Sequence, residues 1–73
     1  MPTQTDAVAL QARDLRKLPV VCRQTGQSAA TIYRRIKGGT FPAPVKTGVR
    51  ASAWVGAEVD KWIADRIADR DAA

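Results

Sequence analysis

Histidine is absent from the chain and cysteine occurs once, at Cys22. The first absence removes the commonest general acid–base group and the commonest metal ligand, so a zinc site is excluded in practice. The second rules out an internal disulfide and fits a reduced compartment. No run approaches the roughly 20 apolar residues of a membrane span, and the N-terminus lacks the charged-then-apolar pattern of a secretory signal. The glycine-containing pieces Gly38-Gly39 and Thr47-Gly48 lack phosphate-loop spacing, which leaves no enzymatic constellation. No metal, no cofactor and no small-molecule substrate is expected, and the localisation expected is cytoplasmic.

What the chain does have is positive charge in one place. Its 73 residues carry a net charge of +5. From Arg13 to Arg50 there are nine cations against Asp14 alone, whereas from Ala51 to Ala73 there are three cations and five anions. A basic body with a mildly acidic tail is the asymmetry expected when one face meets phosphate. The length allows one domain with a small core, which the hydrophobic residues, 45% of the total, fill with Val, Ile, Leu and two Trp. Expected boundaries are a flexible arm over 1–12, a folded domain over 13–70 and a frayed tail over 71–73.

Within the basic body, Leu18-Pro19 reads as a helix start, since proline is favoured where its missing N–H costs nothing. Val21, Cys22 and Thr25 share one face of this helix, and Gly26 suits a left-handed terminator. Before it, the short charged stretch 13–17 reads as extended, with Leu15 turned inward. Ser28 then caps a second helix over about residues 29–38. Ile32, Ile36 and Ala29 cluster on one arc of that helix with Tyr33 at the border. Ala30, Thr31, Arg34 and Lys37 occupy the other arc, and Arg35 flanks it. Two short helices joined by a glycine turn, the second cationic on its outer face, form a helix-turn-helix whose second helix enters the DNA major groove. Arg34 is the candidate for a bidentate contact to guanine, and the small Ala30 and the Thr31 methyl permit close approach to base edges.

Past Gly38-Gly39, the prolines Pro42 and Pro44 enforce extended backbone. Candidate strands Pro44–Thr47 and Arg50–Trp54 surround a tip at Gly48-Val49, giving a wing over about residues 45–54 with Lys46 and Arg50 near its tip. A wing cation of this kind lies on the backbone or in the minor groove. A last helix starts at Val55 or Gly56 and carries Val55, Val59, Trp62, Ile63 and Ile67 as an apolar stripe. Trp54 and Trp62 are expected in the core.

The run Leu18-Pro19, Thr25-Gly26-Gln27-Ser28, Thr31-Ile32-Tyr33-Arg34 and Ile36-Lys37, followed by Phe41-Pro42 and Pro44-Val45-Lys46, resembles the AlpA family of prophage regulators. Arg50, Trp54 and Glu58-Val59-Asp60 with Trp62 continue the pattern, so the resemblance spans roughly Leu15 to Ile67. It implies a mainly α fold with a small β wing, a winged helix-turn-helix similar to excisionases and to the DNA-binding part of MerR regulators. The implied activity is sequence-specific binding of double-stranded DNA as a phage or integrative-element transcriptional regulator, with a recombination directionality factor as the alternative. Partners implied are double-stranded DNA, further copies of the chain on DNA, and an integrase. The DNA-facing set carried over by position is Ser28, Ala29, Ala30, Thr31, Tyr33, Arg34 and Lys37, with Lys46 and Arg50 from the wing; Arg35 joins it as a candidate. Three positions depart from the pattern. Gln27 and Arg35 stand where relatives carry apolar residues, and Ala29 stands near a frequent arginine. A rival reading keeps the winged fold as a protein-interaction adaptor and requires Trp62 or Ile63 to be exposed.

Overall fold

The computed structural model describes residues 14–73, so the expected arm over 1–12 lies outside the described residues. In chain order the elements are β1 (Leu15–Arg16), α1 (Leu18–Thr25), α2 (Ala29–Lys37), β2 (Val45–Gly48), β3 (Ala51–Val55) and α3 (Gly56–Ala72). They form a mainly helical winged helix-turn-helix with a small antiparallel sheet of order β1-β3-β2.

Local chemistry sets the helix ends. Lys17 caps α1 from extended backbone without a side-chain bond, and Pro19 occupies the first turn. The helix stops at Gly26, whose φ of 70° is left-handed and whose N–H donates to the Cys22 carbonyl at 2.9 Å. A residue with a Cβ is strained there, which is why glycine closes the turn. The Thr25 hydroxyl donates back to the Val21 carbonyl at 2.8 Å, satisfying a polar group on a half-buried face. Ser28 caps α2 by accepting from the Thr31 amide at 3.2 Å.

Five elements each contribute one residue to the core. Val21 comes from α1, Ile32 from α2, Phe41 from the loop after it, Trp54 from β3 and Val59 from α3. Leu18, Cys22, Ile36, Trp62 and Ile63 pack around them, partly buried. Full burial of such a side chain contributes about 1.5–3 kcal/mol, and no polar or charged residue is buried among the described residues. Because Ile32 is wholly covered, α2 has one rotational setting on the body, and that setting decides which of its residues face outward.

The wing is a hairpin in which Val45 pairs with Ala53 and Lys46 with Ser52, after which a bulge leaves Gly48 opposite Ala51. The bulge adds Thr47 to the β2 side. It shifts the tip one residue from the expected Gly48-Val49 to the turn Val49-Arg50.

Four expectations change. Leu15 is 44% exposed instead of turned inward. It lies in a two-residue strand paired with β3 (Leu15 with Val55, Arg16 with Trp54), and it is the Arg16 side chain, 16% exposed, that is covered. Phe41, absent from the expected core of Val, Ile, Leu and Trp, is buried at 6%. Trp62 is half-buried, not fully enclosed. Its indole N–H donates to the Thr40 carbonyl at 2.9 Å, and its ring meets Phe41 edge-on at 5.0 Å. An amphipathic indole at a rim satisfies its polar edge while its apolar body is covered. Finally, the expected frayed tail is helical as far as Ala72, with Arg70 and Asp71 paired at 2.9 Å.

Candidate nucleic-acid interface

With Ile32 buried and Ile36 half-buried, the opposite arc of α2 faces solvent. Ala30, Tyr33, Arg34, Arg35 and Lys37 are exposed, Ser28 is exposed at the cap, and Ala29 and Thr31 are half-buried. Lys46 and Arg50 are exposed on the wing, beside Val49, which at 94% is the most exposed of the large apolar residues. Tyr33 is 50% exposed, and its ring stands edge-on to Trp54 with centroids 6.1 Å apart. The contact ties the recognition-helix candidate to the strand that carries the wing.

Along the outer arc of α2, three side chains are joined. The Ser28 hydroxyl donates to Thr31 Oγ1 at 3.0 Å, and Arg34 Nη2 donates to the same oxygen at 3.4 Å. Ser28, Thr31 and Arg34 are spaced three residues apart, which stacks them on one side of a helix.

The cations divide sharply. Every ion pair among the described residues uses Asp14, Asp60, Asp65, Asp69 or Asp71. Lys17, Arg23, Arg34, Arg35, Lys37, Lys46 and Arg50 take part in none of them, and no carboxylate occurs between Asp14 and Glu58. Unneutralised cations on one exposed surface are what a polyanion requires. The arrangement of α2 and wing therefore offers a groove-sized helix with cations on its outer arc and a second cationic hairpin tied to it.

Arg16 belongs to the basic run by sequence but not to this surface. Its guanidinium bonds to Asp60 at 2.7 and 3.1 Å, to Asp14 at 2.8 and 3.1 Å and to the Gln24 side-chain carbonyl at 2.9 Å. Hydrogen bonds to Asp60 and then to Asp14 raise its pKa, and the bond from Arg16 holds the Asp60 carboxyl below the usual carboxylate range. This clamp fastens β1 to α1 and α3. It rests on Gly56, whose N–H donates to the Asp14 carbonyl at 2.6 Å and where a Cβ would run into the Asp14 carboxylate. Sequence reasoning missed the clamp, because the bond at its centre joins residues 44 positions apart.

The family described as prophage CP4-57 regulatory protein (AlpA) matches residues 14–67. The chain belongs to the AlpA family. It is 45% identical over 60 residues to the uncharacterized protein ORF88 of Enterobacteria phage P4, an alignment covering 82% of this chain and 67% of that one. It is 36% identical over 56 residues to the DNA-binding transcriptional activator AlpA of Escherichia coli strain K12, covering 68% of this chain and 80% of the relative. No solved structure matches. Within this AlpA-family fold, the Gln27 departure has a structural consequence: both ends of its amide are buried without a hydrogen-bond partner in the protein. Arg35 is exposed, and its carbonyl accepts from the Thr40 amide at 2.8 Å, so its position at the flank costs the core nothing. Trp62 and Ile63, on which the adaptor reading depends, are each half-buried against the core. No helix among the described residues is long and apolar enough to cross a membrane.

Proposed function

We propose that this chain is a sequence-specific double-stranded DNA-binding protein that acts as a transcriptional regulator of phage or integrative-element type. Helix α2 lies in the major groove, and the wing places Lys46 and Arg50 on the backbone or in the minor groove. The observation that carries the reading is the set of unpaired cations on α2 and the wing, on a helix whose inner face is fixed by a wholly buried isoleucine. Membership of a family that includes a named DNA-binding transcriptional activator supports the same reading. Binding is held by phosphate neutralisation and specified by Arg34, for which a bidentate guanine contact contributes about 1–3 kcal/mol of discrimination.

A titration of affinity against salt tests it. About five phosphate contacts give a slope of log affinity on log salt near −4 to −5; a slope near zero on the selected site rejects the reading. Arg34→Ala flattens preference among sequences, while Lys46→Ala weakens all duplexes alike. Equal, sequence-blind losses from the two substitutions would move Arg34 to the phosphate contacts.

A further inference from the structure

Arg34 does not project from α2 as an isolated side chain. The Ser28 hydroxyl donates to Thr31 Oγ1 while accepting from the Thr31 amide, and Arg34 Nη2 donates to that same Thr31 oxygen. Thr31 Oγ1 thus accepts from two neighbours, which occupies the acceptor capacity of a hydroxyl and leaves its own proton to be donated outward. The rest of the outer arc offers few acceptors. Ala29 and Ala30 have none, Arg34, Arg35 and Lys37 are donors only, and the hydroxyls of Ser28 and Tyr33 are what remains. Asparagine, glutamine, aspartate and glutamate, the side chains that accept from adenine N6 or cytosine N4, do not occur between Ser28 and Gly38.

We propose that Thr31 is a positioning residue, held by Ser28, whose hydroxyl orients the Arg34 guanidinium so that α2 selects a guanine edge. The inference rests on the DNA-binding reading above and deepens it. An arginine free in solution loses rotamer freedom when it docks. One already resting on a hydroxyl of its own helix has less to lose, and its outward N–H pair is aimed before the groove arrives. Guanine is selected because its major-groove edge offers two acceptors, O6 and N7, whereas adenine presents an N6 donor that a guanidinium cannot satisfy.

The experiment uses the whole chain and a duplex selected by it from a random-sequence pool, with single-base variants at the position whose preference Arg34→Ala abolishes. The readout is the ratio of affinities for guanine over adenine at that position. A loss of fold or of phosphate contacts lowers both affinities together and leaves the ratio unchanged. Thr31→Val keeps the shape and removes the hydroxyl; Thr31→Ser keeps the hydroxyl and removes the methyl. Thr31→Val is expected to reduce the ratio by about two- to tenfold, the equivalent of one side chain left to be ordered on binding, and Thr31→Ser restores most of it. Ser28→Ala reduces the ratio less than Thr31→Val, since it acts through Thr31. An unchanged ratio in Thr31→Val, or an equal loss in Thr31→Ser, overturns the proposal, the latter because the methyl and not the hydroxyl would then position Arg34. A selected base other than guanine at that position overturns it as well. An Arg34→Ala variant that keeps every wild-type preference overturns instead the placement of α2 in the major groove, so the two failures are distinct.

Discussion

On α3, Lys61, Arg66 and Arg70 sit on Asp65, Asp69 and Asp71 at 2.9, 2.7 and 2.9 Å. On α2, Arg34, Arg35 and Lys37 have no carboxylate at all. Both helices are amphipathic and each carries three cations, but α3 carries five acids as well and α2 none. The difference lies in where the anions were placed. A helix whose charges are matched within itself presents little net field, whereas one whose charges are unmatched awaits a partner of opposite sign. The basic body and the paired C-terminal helix share one core, and on the function proposed above the first is the working surface and the second its support.

That division can be broken most severely at its hinge. Ile32→Ala empties the point where α2 meets the support and is expected to destabilise the domain by about 2–5 kcal/mol in denaturant unfolding. A loss under 1 kcal/mol would mean that α2 is held by something other than its apolar arc. A substitution in the opposite direction sharpens the comparison. Gln27→Met replaces the unpartnered amide in the turn with an apolar chain of similar length, and thermal unfolding should show a gain of about 1–2 kcal/mol. DNA affinity changes little if the turn serves only to hold α2; a large fall would give Gln27 a role on the working surface.

The clamp gives a smaller effect with a definite sign. Because Arg16 holds the Asp60 carboxyl below its usual range, the folded state binds fewer protons there than the unfolded chain. Its contribution is fully present above the ordinary carboxylate range and is lost as the pH falls through the lowered value. Asp60 is largely exposed, so solvent screening keeps that contribution modest. Asp60→Asn should lower stability at neutral pH and flatten its fall in acid. Unfolding midpoints that keep the wild-type acid dependence would remove Asp60 from the clamp's energetics. Least of all, Asp65→Asn breaks a pair between exposed partners on α3 and should cost no more than about 0.5 kcal/mol. A clear rise in DNA affinity for this variant, beyond the general effect of one added charge measured with Glu58→Gln, whose carboxylate is in none of these pairs, would show that Lys61 is held back from phosphate.

How much of this was readable in the chain depends on the range of the interaction. Pro19, Gly26 and Ser28 act on their own turns, and the helix-turn-helix follows from them within one residue. The wing followed from the prolines and glycines, but its tip moved by one residue because bulge placement depends on cross-strand register. Leu15 misled because a two-residue strand has no alternation from which to read a face. The Arg16–Asp60 bond spans 44 positions, and nothing local announces it. Phe41 lay among residues that dictate extended backbone, and backbone restriction says nothing about where a side chain is buried. For the candidate site, the cationic outer arc and the wing cations were legible as exposed positions. The Ser28–Thr31–Arg34 chain was implicit in their threefold spacing, but rotamers decide whether neighbours at that spacing join.

Trp54 remains to be given its mechanical meaning. It is 1% exposed, donates its indole N–H to the Pro42 carbonyl at 3.0 Å, and touches Tyr33 of α2 from its place on β3. The wing cannot swing relative to α2 without rotating a large enclosed ring and breaking that bond. Helix and hairpin therefore behave as the two jaws of a caliper whose opening is set by one side chain. On the function proposed above, such a tool accepts a duplex of one groove spacing and rejects a helix whose grooves are spaced otherwise, before any base is read.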